Sequence, residues 1–320
     1  MIGLKFLEGQ GLGNQLWNYV ACRFIAEKNN YNFSIVNKNL FKGKNFLEIN
    51  FGKSSKIENF SLVKENLYYD LILDWVSSSY DSKFEKLKKN SLIEGLFQDE
   101  RYFYNKANNI KKYINLKSEN KFQFNDFTCI LNIRGGEYKR HKKLILPKSY
   151  WDNGILYMKK NFKIKNFLIV TDDYKYSKNL FPNFEIIHDN IENCFKALMS
   201  AKYLIISNSS FSYFPIKLGV KKKFIIAPKY WARFNNNYNR WASVCNIYKD
   251  WHWMDGKNKI FTYKSCLKER DELDKFYYNS HNLSFDNSYF DNSGIRKYFP
   301  RTLKQKLKKF LSFFFPKHIG

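Results

Sequence analysis

An apolar run from Ile2 to Leu7 leads into "GQGLGNQLWNYVACRFIAEKNN", Gly9 to Asn30, and then into "NFSIVN", Asn32 to Asn37. This order of strand, glycine loop, helix and strand constrains the fold more than any other feature. Two strands joined through a helix favour one parallel sheet. Leu16, Tyr19, Val20, Phe24 and Glu27 mark the turns of a helix over Asn14 to Lys28. Gly9, Gly11 and Gly13 stand at the turn into it. Backbone without a Cβ can approach a ligand there, often a phosphate. Taken alone, the loop is better explained as a tight turn.

The alternation resumes after Phe127. "TCILNIR" (Thr128–Arg134) and "NFLIVTDD" (Asn166–Asp173) read as buried strands, and "FEIIHD" as a short one. "KSYWDNGILYMKKNF" and "NCFKALMSAKY" read as helices. "LIISNSSFSYFPIKLG" reads as a strand, a polar turn and a helix start, and "KKFIIAPKYW" as the last strand. Polar residues gather after the C-terminal ends of these strands, where open α/β sheets bind ligands. Residues Phe41 to Asn120 are aromatic-rich, with a helix expected over Tyr102 to Tyr113.

With 320 residues and 44% apolar content, about two domains and a sizeable core are expected. No apolar run approaches the roughly 18 residues of a membrane helix. The N-terminus lacks a signal-peptide pattern, so a cytoplasmic protein is expected. The five cysteines are scattered and form no Cys-x-x-Cys pair, and the histidines are unclustered. Neither a disulfide framework nor a metal site is expected. The net charge of +26, from 55 basic and 29 acidic residues, invites a nucleic-acid reading. No zinc finger, RNA-recognition motif or KH loop accompanies it, the lysines spread along the whole chain, and no nucleic-acid partner is expected.

The glycine loop fails two standard motifs. A P-loop needs Gly-Lys-Ser/Thr, and Asn14-Gln15 follow Gly13; a dinucleotide fingerprint from Gly9 and Gly11 needs a glycine where Asn14 stands. "NIRGGEY", Asn132 to Tyr138, sets an arginine and a carboxylate at a strand end. Arg134 suits a diphosphate through its planar fork. Glu137 suits a base or a hydroxyl-orienting group. A surface ion pair is the plain alternative. In "VTDD", Asp172 and Asp173 suit a metal, a pairing with Arg134 or a helix cap. In "NSSFSYF", Ser209 and Ser210 suit phosphate oxygens at a helix start, or ordinary capping.

Taken in order, these segments resemble glycosyltransferase family 11, the α-1,2-fucosyltransferases. "GLGNQLWNYV" is similar to that family's N-terminal motif, and "NIRGGEY" to its His-x-Arg-Arg-Gly-Asp-Tyr. "LPKSYW", "TDD", "NSSFSYF" and "IIAPKYW" resemble its later segments, so the likeness runs from Ile2 to Trp231. It implies a GT-B-like α/β fold of two Rossmann-type domains facing a cleft. It implies an inverting transfer from GDP-fucose without an essential metal or other cofactor. Arg134, Glu137 and Asn14 would then be catalytic. Gly11, Gly13, Gln15, Asn132, Asp172, Ser209, Ser210 and Phe211 would bind the donor. The chain departs from the motif at three places: Asn132 replaces its His, Gly135 its second Arg and Glu137 its Asp. These departures leave a different nucleotide sugar, or a non-catalytic glycan- or nucleotide-binding protein, as alternatives.

The expected domains are 1–125 on the acceptor side, 126–256 on the nucleotide-sugar side, and a tail over 257–320. The tail reads as a polar linker, Asn279 to Gly294, then a basic amphipathic helix. Leu303, Leu307, Phe310, Leu311 and Phe314 fall on one face of it, with lysines around the flanks. Residues 301–315 would rest on an anionic membrane, peripherally at the inner face of the cytoplasmic membrane. The acceptor there would be a glycan or lipid-linked glycan, as in bacterial O-antigen or capsule synthesis.

Overall fold

A computed structural model of the chain describes residues 1–279 apart from 56, 57, 59, 71, 72 and 104–109. The expected linker and amphipathic helix lie outside the described residues, as does half of the helix expected over Tyr102–Tyr113. The described ends of that last segment are 3-10 turns at Glu100–Tyr102 and 110–112.

The first half runs β1 (Ile2–Lys5), α1 (Leu12–Lys28), β2 (Phe33–Val36), β3 (Leu47–Ile49) and β4 (Ser61–Lys64). It continues through β5 (Leu67–Asp70), β6 (Trp75–Ser78), β7 (Ser91–Glu94) and β8 (Ile114–Leu116). Four of these strands form a parallel sheet in the order β2-β1-β7-β4. β3 with β8, and β5 with β6, make antiparallel pairs. The strand–helix–strand reading of the first 37 residues therefore holds.

The second half runs β9 (Thr128–Ile133), α2 (Lys148–Phe162), β10 (Asn166–Thr171), α3 (Tyr174–Leu180), β11 (Glu185–Ile187) and α4 (Ile191–Ser200). It continues through β12 (Tyr203–Ile206), α5 (Tyr213–Leu218), β13 (Phe224–Pro228), β14 (His252–Met254), β15 (Ile260–Thr262) and α6 (Tyr263–Asn279). Its sheet order is β11-β10-β9-β12-β13-β14-β15, parallel except at the β14–β15 edge. The first six follow the doubly wound 3-2-1-4-5-6 order. Every residue of β9 is buried, as a central parallel strand covered on both faces requires. β13 is not the last strand, as the sequence suggested. β14 and β15 are three residues each, too short to show an alternation.

Helix α1 is buried around most of its circumference because it packs on β1 and β2 on one side and on the Ser210–Ser212 turn and α5 of the second half on the other. Trp17 packs its ring 4.1 Å from that of Tyr213 and 5.4 Å from that of Tyr248. One apolar core thus joins the two halves. A buried carboxylate fastens them as well. Glu100 accepts from Tyr213 Oη at 2.7 Å and from the Lys249 N–H at 2.7 Å, and pairs with Lys217 at 3.0 Å. Asp274 of α6 reaches back to Arg101 and to Ser79 Oγ.

Candidate active site

Both parallel sheets reverse their winding direction once. In the first sheet the reversal lies between β1 and β7, and in the second between β9 and β12. Loops leave the strand ends there without crossing, so a crevice is left open. The two crevices face each other across one cleft of about 700 Å³. Gly9, Gly11, Asn14 and Asn18 line it after β1, and Gly95 and Leu96 after β7. Arg134, Gly136 and Glu137 follow β9, Asp172 follows β10, and Ser209, Ser210 and Phe211 follow β12. Residues up to two hundred positions apart in the chain meet in this way.

Arg134 is the best-held cation of the cleft. Its Nη1 lies 3.0 Å from Asp172 Oδ2, and Asp172 Oδ1 accepts the Gly135 N–H at 2.9 Å. The Tyr138 ring lies under the guanidinium, 5.6 Å away, and its hydroxyl donates to the Asn208 carbonyl at 3.0 Å. Burial pushes the Tyr138 phenol pKa up, so it stays neutral. Among the described residues the buried Arg134 Nε–H has no partner. The guanidinium is therefore fixed on one edge while a second N–H remains unused. That arrangement suits an anion. Asp172 holds the arginine loop, the pairing with Arg134 that the sequence left open beside a metal and a helix cap. Asp173 caps α3 by accepting the Tyr176 N–H at 3.0 Å.

The departures from the Arg-Arg motif have a packing cause at one position. A Cβ on Gly135 would come within 2.7 Å of Asp173 Cβ and 2.9 Å of the Tyr176 ring. An arginine at position 135 has no room. Asn132 is buried, donating from Nδ2 to the Val170 carbonyl at 3.2 Å and accepting from Ser212 Oγ at 2.7 Å. It borders the cleft and ties β9 to β10 and to the start of α5, using one bond at each end of its amide. Glu137 is exposed at the cleft and has no hydrogen bond or ion pair among the described residues.

The glycine loop divides by position. Gly9 adopts a left-handed backbone at φ 74°, which explains it as a turn. Gly11 faces open space in the cleft. Gly13 serves packing instead: its Cβ would lie 2.5 Å from the Ser210 carbonyl carbon and 2.6 Å from the Phe211 nitrogen. It lets α1 touch the loop of the other half. Asn14 Oδ1 accepts from Ser210 Oγ at 2.6 Å and from Gln98 Nε2 at 2.9 Å, which leaves its Nδ2 as its free donor. Gln15 does not reach the cleft. It is fully buried, donates to the Leu40 carbonyl at 2.9 Å and accepts the Lys42 N–H at 2.9 Å. Ser209 Oγ caps its own turn through the Phe211 N–H at 3.3 Å. The Ser210 proton is committed to Asn14, so a phosphate would have to displace that bond. Phe211 presents a half-buried ring held edge-on by Phe195 at 5.9 Å.

Further lining residues were not singled out from the sequence: Glu8, Asn18, Lys42, Leu96, His188 and Asp189. Glu8, His188 and Asp189 sit just past strand ends, where the strand-end rule would have found them. Lys42 and Asn18 carry no such signal. His188 stacks on Tyr174 with centroids 6.3 Å apart. The Asn193 amide and the Asn190 N–H hold Asp189 below the usual carboxylate range. Cys194 also lines the cleft, and burial raises its thiol pKa. Among the described residues no cluster of three His, Cys, Asp or Glu could hold a metal ion.

No protein-family model matches the chain, and no curated protein matches it in sequence. Among solved structures, NodZ alpha-1,6-fucosyltransferase soaked with GDP-fucose aligns at 10% identity with a TM-score of 0.41. The alignment covers 68% of this chain and 92% of that one.

Proposed function

We propose that the chain is an inverting glycosyltransferase that moves a sugar from a nucleoside-diphosphate donor to an acceptor hydroxyl. The observation that carries this reading is Arg134, which Asp172 pins at the junction of two facing crevices while its Nε–H has no partner. The acceptor oxygen attacks the anomeric carbon from the face opposite the diphosphate. The bond to the phosphate oxygen breaks, and its electron pair leaves with the nucleotide. Arg134 stabilises that charge, with the Asn14 amide as a neighbouring donor. The acceptor proton passes to Glu137, whose carboxylate is unpaired and faces the cleft.

The finer terms of the proposal are GDP-fucose as donor and an α-1,2 linkage, and they rest on the family resemblance. In it residues 126–256 hold the donor, residues 1–125 face the acceptor, and no metal is required. A bacterial surface glycan as acceptor goes with the same resemblance, and the basic amphipathic pattern of residues 301–315 supports an inner-membrane surface beside it.

The test is thermal stabilisation by a panel of nucleotides and nucleotide sugars without metal. A ligand at 100 times its Kd adds about 2.7 kcal/mol, roughly 4 °C for a chain of this size. A shift with GDP and GDP-fucose and none with UDP or CMP supports the full reading. A shift with another nucleotide moves the donor, and none at all refutes the transferase. Arg134→Ala should cost about 100-fold or more in turnover, the range for a lost charge-stabilising donor, with little change in melting temperature. Near-normal turnover in folded Arg134→Ala would overturn its role.

A further inference from the structure

Asn18 lies one helical turn beyond Asn14 on α1, so the two amides share one face. It is only 5% exposed, lines the cleft, and its buried Oδ1 has no hydrogen bond. Its Nδ2 makes none either among the described residues. Gln15, on the same helix and equally buried, uses both ends of its amide. An unmatched buried amide is a standing cost that folding alone does not explain.

We propose that Asn18 is a specificity residue for a pyranose, reading a vicinal pair of its hydroxyls. This rests on the glycosyltransferase reading above. One hydroxyl donates to Oδ1 and its neighbour accepts from Nδ2, which uses both ends of the amide. The free Nδ2 of Asn14, one turn away, adds a donor on the same face. An acceptor such as the unpaired Oδ1 repels phosphate oxygens, so the diphosphate belongs with Arg134 instead. The aromatic faces on which a nucleobase would stack, His188 and Phe211, come from the other half of the molecule. The ring at Asn18 is therefore the sugar of the donor or that of the acceptor.

The experiment uses the full chain with Asn18→Leu, which keeps the branched outline without polar atoms, and the smaller Asn18→Ser, which separates crowding by leucine from a lost partner. Melting temperature is read without ligand. Affinity is read for GDP and for GDP-fucose, or for whichever nucleotide and nucleotide sugar stabilise the wild type. The KM for the acceptor is read in the transfer assay. The expected result is an unchanged or higher melting temperature, unchanged nucleotide affinity, and about a tenfold loss on the sugar. A loss in nucleotide-sugar affinity assigns the donor ring, and a loss confined to the acceptor KM assigns the acceptor ring. A clear fall in the melting temperature of both Asn18→Leu and Asn18→Ser would mean the amide already has a structural partner, and would overturn the proposal. So would an equal loss for the bare nucleotide, or wild-type binding and kinetics. A wild-type chain that no nucleotide sugar stabilises fails at the earlier step and overturns the transferase reading itself.

Discussion

Gly13→Ala isolates the contact on which the cleft depends. An added Cβ would sit 2.5, 2.6 and 2.7 Å from three backbone atoms of Ser210 and Phe211. Comfortable carbon contacts begin near 3.5 Å, so α1 and the loop must part by close to ~1 Å. No rotamer can relieve a clash with backbone. Overpacking of this kind costs about 1–3 kcal/mol. Alanine returns at most about 1 kcal/mol in helix propensity. The net is a loss of up to roughly 2 kcal/mol, or about 3 °C in melting temperature for a chain of this size. The same displacement stretches the 2.6 Å bond from Ser210 Oγ to Asn14 Oδ1, so nucleotide-sugar affinity should fall as well. Gly11→Ala is the control: nothing lies within 4 Å of its added Cβ, and its melting temperature should stay unchanged. Calorimetric melting of the three proteins decides the matter. A Gly13→Ala protein that melts with the wild type, or a Gly11→Ala protein that melts lower, refutes the reasoning.

Two other perturbations test neighbouring parts of the site. Gly135→Arg rebuilds the resembled Arg-Arg pair, yet its Cβ would crowd Asp173 and Tyr176. It should lower the melting temperature and gain no donor affinity; tighter binding at unchanged stability would contradict the packing account. Glu65 is buried beside the cleft wall, accepting the N–H groups of Leu96 at 2.7 Å and Phe97 at 3.0 Å and the Tyr102 hydroxyl at 2.8 Å. Burial raises its pKa to about 7 from an ordinary 4.5, with the hydrogen bonds opposing. Between those two values the folded chain holds more protons than the unfolded one, so this group's contribution to stability falls as pH rises through that window. Relative to Glu65→Gln, the wild type should lose up to about 3 kcal/mol between pH 4.5 and 8 by denaturant unfolding. Parallel curves for the two proteins would show that Glu65 does not titrate there.

Periodicity alone predicted the strand–helix–strand start, the buried β9, and the order of units from β9 to β13. Long apolar runs and 3.6-residue spacing are local properties that need no partner to be visible. The strand-end rule also placed Arg134, Glu137, Asp172 and Ser209–Phe211 on one rim, and all of them line the cleft. Short β14 and β15 escaped, because three residues cannot show a period.

The use of each residue was a different matter. Gln15 and Asn14 are neighbours in one motif, yet one is consumed inside the fold and the other borders the cleft, because a helix turns adjacent side chains about 100° apart. Gly13 reads as a ligand-approach glycine until Ser210, 197 residues later, arrives against it. Asn18 looks like an ordinary helix residue until burial leaves its amide without a partner. Sequence by itself determined which segments become strands and helices and which loops gather at their ends. Only the tertiary structure decided which polar atoms are spent on the fold and which are left for a ligand, since a hydrogen bond or a steric contact exists only once both partners are in place.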